Sequence, residues 1–365
     1  MGTPSLLDRL LNGLDSASRR LYVAASRTIA RRATTTTTTM ETLEQIKPTM
    51  AEIDPRIPDA LRVAFRLGGH RLSSPGANDN EGFASFVAAV LPAPPVPDCP
   101  AVVPAPRAAR ALRLDVGSCY LPHHDHDSHF GASDFGVLGV ADGVGGYSER
   151  GVDAGAFSRG LMTSAFAAVV SAPPGAPVCP YTLLELAYEE TAASAAPGAS
   201  TAVILSLAPA ADAEESPRLR WAYIGDSGFA VLRRGKILRR SRPQQSRFNC
   251  PYQLNSTGNG DRVTAAETGE VPVEEGDVVV AGTDGLFDNM FDEELERVVR
   301  MGAALGLPAK NMADVIAGVA YEMSRNRARD SPFSVESRRH HRADRWSGGK
   351  EDDITVVVAF VALSY

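Results

Sequence analysis

The sequence predicts an α+β protein with two antiparallel β-sheets packed face to face and helices outside both, a four-layer αββα sandwich. Apolar runs rich in β-branched residues predict strands at 136–141, 201–207, 219–224, 229–232, 277–281 and 354–361. Helical periodicity predicts helices at 153–170, 181–195, 292–305 and 309–325. Several strand runs follow one another across short turns, which favours antiparallel pairing with the helices covering the sheets from outside.

These strand and helix patterns all fall within residues 111–365, which we predict to be the main domain. Residues 41–110 form a mixed segment before it. Within that segment, 58–90 has the pattern of a short helix and strand, and 91–109 is so rich in proline that it predicts an extended connection.

The first forty residues have the composition of a targeting segment. They are rich in Arg and Ser, contain only Asp8 and Asp15 as acidic residues, and space their leucines helically. This composition is typical of a mitochondrial transit peptide, so residues 1–40 are predicted to be one. The alternative is a surface helix or a segment without order. The threonine run at 34–39 marks the boundary, because such a tract buries too little apolar surface to fold.

The overall composition excludes several classes of function. The net charge is −7, which argues against a nucleic-acid surface, since phosphate binding needs clustered Lys and Arg. The four cysteines are scattered without a CxxC or other metal-ligand spacing, which favours a reducing compartment and no zinc site: Cys99, Cys119, Cys179 and Cys250. No apolar run has the length of a transmembrane helix.

Three aspartates stand at the ends of predicted strands. Asp142 and Asp284 follow apolar runs and precede glycines, and Asp352 comes just before the last run. Carboxylates are the preferred ligands of Mg²⁺ and Mn²⁺, and Gly143 leaves its own carbonyl accessible beside Asp142. Each Asp-Gly pair taken alone is more often a simple turn, and the spacing does not show that the three carboxylates converge.

Five blocks in order carry a resemblance to a known family: GVADGVGG (139–146), GAST (198–201), AYIGDSG (222–228), AGTDGLFDN (281–289) and KEDDIT (350–355). Together they resemble the signature blocks of the metal-dependent protein serine/threonine phosphatases of type 2C. The stretch DGVGGYSERGVD (142–153), with residues 227–254, 288–294 and 331–355, resembles the mitochondrial branch of that family. The similarity covers about residues 112–362.

The resemblance implies a β-sandwich with two or more Mn²⁺ or Mg²⁺ ions at one end. By position, Asp142 would bridge both ions, and the Gly143 carbonyl would ligate one of them. Asp284 and Asp352 would supply further carboxylate ligands. Asp142, Asp284 and Asp352 would then be catalytic through the bound metals and water. Further ligands implied are Asp127, in HDSHF (126–130), and Asp353, where the family often has Asn. Asp226 is expected to shape a turn under the site.

The sequence also departs from the family pattern. Val144 stands where many members have a histidine thought to protonate the leaving alcohol, and His126 replaces one acid of the usual pair. The general acid is therefore unassigned. The histidine-rich segment HHDHDSH (123–129) supplies candidates, although a solvated loop is the simpler interpretation. The residue that anchors substrate phosphate has no secure match, and Arg113 is a positional candidate.

The functional hypothesis is a phosphatase that hydrolyses phosphoserine and phosphothreonine by attack of a metal-bridged hydroxide, with phosphorylated mitochondrial matrix proteins as partners. The alternatives are a catalytically weak relative that binds phosphoproteins and a hydrolase of small phosphate esters. The serines of GAST and GDSG lack a GxSxG elbow and are not expected to be nucleophiles. Residues 325–345 are predicted to form a basic loop near Asp352 that either attracts acidic segments or is only solvated.

Overall fold

The computed structural model describes residues 111–173, 176–194, 197–210, 216–340 and 346–364. The expected transit peptide at 1–40 and the segment 41–110 lie outside the described residues.

Most strands of the described chain lie in two five-stranded antiparallel sheets. The first sheet has the spatial order β1 (Leu112–Leu121), β14 (Ile354–Leu363), β13 (Val278–Gly282), β7 (Gly228–Arg233) and β8 (Lys236–Arg240). The second has the order β12 (Glu267–Pro272), β6 (Arg218–Ile224), β5 (Ala202–Ala208), β3 (Val137–Asp142) and β2 (Asp127–Ala132). Two short ribbons pair β11 (Leu254–Asn255) with β4 (Ala199–Ser200) and β10 (Cys250–Pro251) with β9 (Gln245–Arg247).

Helices cover the outer face of each sheet. Helices α1 (Gly155–Ser171) and α2 (Pro180–Ala193) share a core with the second sheet. Helices α4 (Asp292–Ala304) and α5 (Ala309–Ser324) share a core with the first sheet. The short helix α3 (Asp284–Phe287) follows β13, and α6 (Pro332–His340) lies between α5 and β14. The four-layer αββα sandwich predicted from the sequence is therefore confirmed.

The central strands are apolar throughout because both of their faces are buried. In β13, Val279 and Ala281 face the core between the two sheets, whereas Val278 and Val280 face the helices. Strand β14 alternates in the same way. A strand covered on both sides has no polar face, which is why these segments form continuous apolar runs in the sequence.

Strand register collects chain segments at one end of the sandwich. Asp127 at the start of β2 lies opposite Asp142 at the end of β3. Leu121 at the end of β1 lies opposite Ile354 at the start of β14, so the loop after β1 lies beside Asp352. The predicted site residues therefore meet at this end. Within the described ranges, no helix is both long enough and apolar enough to cross a bilayer.

Candidate metal centre

Asp142 is fixed by backbone hydrogen bonds to the neighbouring GAST segment. Its N–H donates to Thr201 Oγ1 at 3.2 Å, and its carbonyl accepts from the Thr201 N–H at 2.9 Å and from Ser200 Oγ at 2.8 Å. Thr201 Oγ1 in turn lies 2.7 Å from Ser227 Oγ of the GDSG segment. Ser200 and Ser227 are buried and brace the Asp142 backbone, which agrees with the expectation that they are not nucleophiles.

Gly143 is required by close backbone contacts. A Cβ atom at this position would lie 2.3 Å from the Ala154 carbonyl oxygen and 2.8 Å from that of His126, so no other residue fits without a shift. The Gly143 N–H donates to the His126 carbonyl at 3.1 Å. The contact places the chain before Asp127 directly beside Asp142.

Asp127 is a buried carboxylate with one oxygen bonded and one without a partner. Its Oδ2 accepts hydrogen bonds from Thr283 Oγ1 at 2.7 Å and Thr355 Oγ1 at 2.8 Å. Its Oδ1 is buried and has no hydrogen-bond partner. Burial and the nearby charge of Asp353 raise the pKa of Asp127 well above its usual value, although the two threonine hydroxyls act in the opposite direction.

Asp284 begins helix α3 directly after β13, so the last strand hydrogen bonds and the first helical turn fix its position. Its Oδ1 atom, like that of Asp127, is buried without a hydrogen-bond partner. A buried anionic oxygen without a partner is costly, and such atoms indicate that a donor or cation belongs beside them.

Six carboxylates form what we call the acidic cluster: Asp127, Asp142, Asp226, Asp284, Asp288 and Asp352. Burial first, and then the charges of the other members, raise the pKa of Asp142 well above its usual value. The same causes raise the pKa values of Asp226 and Asp288 to about 7. Bound divalent cations would relieve this repulsion.

Lys350 contributes a positive charge to the cluster. Its Nζ donates to the Oδ2 atoms of Asp284 at 2.5 Å and Asp288 at 2.9 Å, and it lies 3.1 Å from Oδ2 of Asp352. These three carboxylates raise the pKa of the Lys350 ammonium well above its usual value, although burial acts against this shift. Neither Lys350 nor Asp288 was predicted from the sequence as part of the site. The spacing of Asp284 and Asp288 by four residues, one helical turn, was the signal available for Asp288.

The donor set suits hard divalent cations, since the cluster offers carboxylate oxygens and two of them have no partner. As the side chains stand, however, no group of three or more His, Cys, Asp or Glu residues within the described ranges is arranged to hold a metal ion. Lys350 binds the Oδ2 atoms of three cluster members instead. Asp142, Gly143, Asp284, Asp352 and Asp127 are thus brought together as predicted, and their ligand roles remain predictions.

Asp353 is placed differently from the sequence prediction. Its Oδ1 accepts backbone N–H bonds from His123, His124 and Asp125, and its Oδ2 accepts one from His126 at 2.8 Å. Both oxygens are thereby used by the loop after β1. We therefore correct its assignment from metal ligand to organiser of that loop.

Arg113 is excluded as the residue that anchors substrate phosphate. It pairs with Ala362 at the far end of β14, whereas Asp352 precedes the other end of that ten-residue strand. At roughly 3.3 Å per strand residue, the separation is more than about 20 Å. A positional match in the sequence could not show at which end of the strand the residue lies.

The basic segment 325–345 is not simply a loop, because residues 332–340 form helix α6. Its basic side chains have acidic partners nearby: Arg338 binds Asp330 with two hydrogen bonds at 2.7 Å, and Arg339 binds Glu336 at 2.8 Å. The predicted loop is therefore helical over residues 332–340, and these two arginines form ion pairs on its surface. Residues 341–345 lie outside the described ranges.

The histidines of the 123–129 segment are separated by the fold. His126 lies at the site: its carbonyl contacts Gly143 and its Nε2 lies 3.1 Å from Ser148 Oγ. His129 lies in β2, where its Nε2 is 3.0 Å from Ser118 Oγ of β1. Burial and the charge of Lys310 lower the pKa of His129 to about 4, so it is neutral near pH 7.

Carboxylates from both sheets meet at one end of the four-layer αββα sandwich, and comparisons with known proteins identify the family that has this architecture. No protein-family model matches the sequence. The "Putative protein phosphatase 2C 23" of Oryza sativa subsp. japonica is 53% identical over 338 residues, 89% of this chain and 98% of that protein. The "Putative protein phosphatase 2C 24" of the same organism is 52% identical over 326 residues, 88% of this chain and 100% of that protein.

A solved structure agrees with these relatives. The X-ray structure of the photosystem II phosphatase PBCP matches 68% of this chain and 98% of its own, with a TM-score of 0.58 and 32% sequence identity. The chain belongs to the protein phosphatase 2C family. It is accordingly an enzyme of the protein phosphatase class, as the signature blocks had indicated.

Proposed function

We propose that this protein removes phosphate from phosphoserine and phosphothreonine in protein substrates, using two or more Mn²⁺ or Mg²⁺ ions held at the acidic cluster. The observation that carries the proposal is the pair of buried carboxylate oxygens without partners, Asp127 Oδ1 and Asp284 Oδ1. The ligands we propose are the carboxylates of Asp142, Asp284, Asp352 and Asp127 and the carbonyl of Gly143.

Bound divalent cations would supply Lewis-acid polarisation of the phosphoryl group and a water of lowered pKa as the nucleophile. The chain positions the ligands for this chemistry. Thr201 and Ser200 fix the backbone of Asp142, and Thr283 and Thr355 orient Asp127 through one oxygen, which leaves the other available. The buried serines at 200 and 227 support direct hydrolysis by water without a phosphoenzyme.

The test is phosphate release from a phosphothreonine peptide by the full chain with Mn²⁺, with Mg²⁺ and with chelator, beside Asp284→Asn. We expect turnover that requires metal and falls by at least about 100-fold in the variant, because an amide replaces a charged ligand. Asp134→Asn, a change at an exposed carboxylate, is the control and is expected to keep full activity. A folded wild-type protein without turnover under either metal would favour the phosphoprotein-binding alternative.

We also propose import into mitochondria, with matrix phosphoproteins as substrates. The support is the Arg- and Ser-rich, acid-poor composition of residues 1–40. Imaging of the full chain and of a chain lacking residues 1–40, each fused at its C-terminus to a fluorescent protein, tests this. Mitochondrial signal that depends on residues 1–40 is expected. Accumulation in plastids or in the cytosol would refute the proposal.

A further inference from the structure

Lys350 is the internal cation of the acidic cluster. Its ammonium contacts the Oδ2 atoms of Asp284, Asp288 and Asp352 at 2.5–3.1 Å, and the ring of Phe333 lies 5.3 Å from the nitrogen. The lysine side chain is 15% exposed. The contact is therefore a largely buried arrangement of one positive charge among three negative ones, unlike a surface ion pair.

The fold fixes the position from which this side chain extends. The Lys350 N–H donates to Asn289 Oδ1 at 2.9 Å, and its carbonyl accepts from Asn289 Nδ2 at 2.8 Å. Asn289 is fully buried and also donates to the Gly285 carbonyl at 2.9 Å. The backbone of Lys350 is thereby tied to the end of the short helix that carries Asp284, so the ammonium is directed at the cluster by the fold.

An ammonium and a divalent cation compete for the same atoms in this arrangement. Two of the three carboxylates that Lys350 contacts, Asp284 and Asp352, are proposed metal ligands, and it contacts the Oδ2 atom of each. A metal that takes these oxygens must displace the ammonium and then experiences its repulsion from a short distance in a partly buried site. The lysine charge should thus oppose metal binding at this corner of the cluster.

We propose that Lys350 competes with a divalent cation for the corner formed by Asp284, Asp288 and Asp352, and so sets the free metal concentration at which the centre fills. This inference rests on the proposed function, because it requires that the cluster binds divalent metal. It assigns to Lys350 a positioning role that acts through the carboxylates. The positive charge of Lys350 also offsets part of the repulsion among the six neighbouring carboxylates when no metal is bound.

The test measures metal binding rather than turnover. Full-length wild type, Lys350→Met and Lys350→Gln are titrated with MnCl₂ by calorimetry, with Lys236→Met as the matched control because Lys236 pairs with Glu296 on the surface and is 70% exposed. In Lys350→Met and Lys350→Gln, the most weakly bound Mn²⁺ ion is expected to bind at least about tenfold more tightly than in the wild type, because an opposing charge is removed. The control should match the wild type.

The second measurement is the melting temperature, which also shows whether each variant is folded. In chelator, Lys350→Met should melt below the wild type because three carboxylates lose their counter-charge, while added Mn²⁺ should raise its melting temperature more than that of the wild type. Lys350→Gln retains a hydrogen-bond donor and keeps the test usable if the methionine variant does not fold without metal.

The outcomes separate the two proposals. Mn²⁺ binding of equal or weaker affinity in both neutral variants would overturn the role of Lys350 and leave the metal centre intact. No Mn²⁺ binding in any of the proteins would overturn the metal centre together with this inference. Binding that appears only after the lysine charge is removed would support the inference directly.

Discussion

At the residue scale, Asp353 shows how one carboxylate organises a whole edge of the site. It accepts four backbone N–H groups from residues 123–126, which are 227–230 positions away in the sequence. Asp353 itself is 2% exposed. These bonds tie the loop after β1 to the start of β14, directly before Asp127 at the beginning of β2.

Replacing this carboxylate should therefore destabilise the protein strongly. Asp353→Ala leaves four donors without their acceptor and is expected to lower the free energy of unfolding by at least about 3 kcal/mol, measured by urea denaturation. Asp353→Asn keeps one acceptor oxygen, so its free energy of unfolding should lie between those of the wild type and Asp353→Ala. The exposed Asp134→Ala serves as control and should change stability by no more than about 0.5 kcal/mol. A loss in Asp353→Ala as small as in the control would refute the organising role.

At the scale of the element, the four-residue helix α3 is the unit that joins strand β13 to the acidic cluster. Asp284 begins it, and Asp288 follows its last residue. Gly285 lies between them against the chain that carries Asp353: a Cβ atom there would be 1.9 Å from the Asp353 carbonyl oxygen. The glycine of the TDG motif is thus explained by packing, since only a residue without a side chain lets helix α3 and the start of β14 approach so closely.

A pair of matched substitutions tests this explanation. Gly285→Ala should destabilise the protein by about 3 kcal/mol or more, because backbone must move to accept the methyl group. Gly318→Ala, in helix α5, meets nothing within 4 Å and should stabilise by about 0.5–1 kcal/mol through helix propensity. Both values come from thermal or urea unfolding. If Gly285→Ala is tolerated as well as Gly318→Ala, close packing is not the reason for the glycine.

At the scale of the whole molecule, the acidic cluster exists because the two sheets end at the same place. Strands β2 and β3 of the second sheet bring Asp127 and Asp142, while β13 and β14 of the first sheet bring Asp284 and Asp352. The mutual repulsion of these groups acts against folding when no divalent cation is bound. Lys350 offsets only part of it.

This repulsion predicts an unusual pH dependence in chelator. Burial and neighbouring charges raise the pKa values of Asp226 and Asp288 to about 7, far above the value of an aspartate in an unfolded chain. Below pH 7 the folded protein therefore holds protons that the unfolded chain has released, so its stability falls as pH rises through 7. Lowering the pH from 8 to 6.5 should raise the free energy of unfolding by about 1 kcal/mol.

Urea denaturation in chelator at several pH values between 6.5 and 8 measures this effect. The double variant Asp226→Asn/Asp288→Asn should show a smaller pH dependence than the wild type, because neither amide titrates. Saturating Mn²⁺ should also reduce it, since the positive charge of a bound cation would lower the pKa values of the neighbouring Asp226 and Asp288. A wild-type protein that becomes less stable from pH 8 to 6.5 in chelator would contradict the prediction.

Much of the secondary structure of this protein could be predicted from local sequence signals. The central strands and the four long helices are set by apolar periodicity, which depends only on neighbouring residues. The edge strands β8 and β12 were not predicted from the sequence. Strand β8 (KILRR) carries basic residues, and strand β12 (ETGEVP) consists largely of polar residues, so neither forms an apolar run. Strand β1 begins LRLD and was missed for the same reason.

The sequence by itself determined the αββα sandwich and the aspartates at its strand ends, because burial on two faces leaves a continuous apolar run and the signature blocks are contiguous. Only the tertiary structure decided how those aspartates are used. Strand register placed Asp127 opposite Asp142, directed Asp353 away to the loop at 123–126, and brought Lys350 among the carboxylates. These contacts join segments far apart in the chain, and their geometry depends on which ends of the two sheets coincide, which no local pattern specifies.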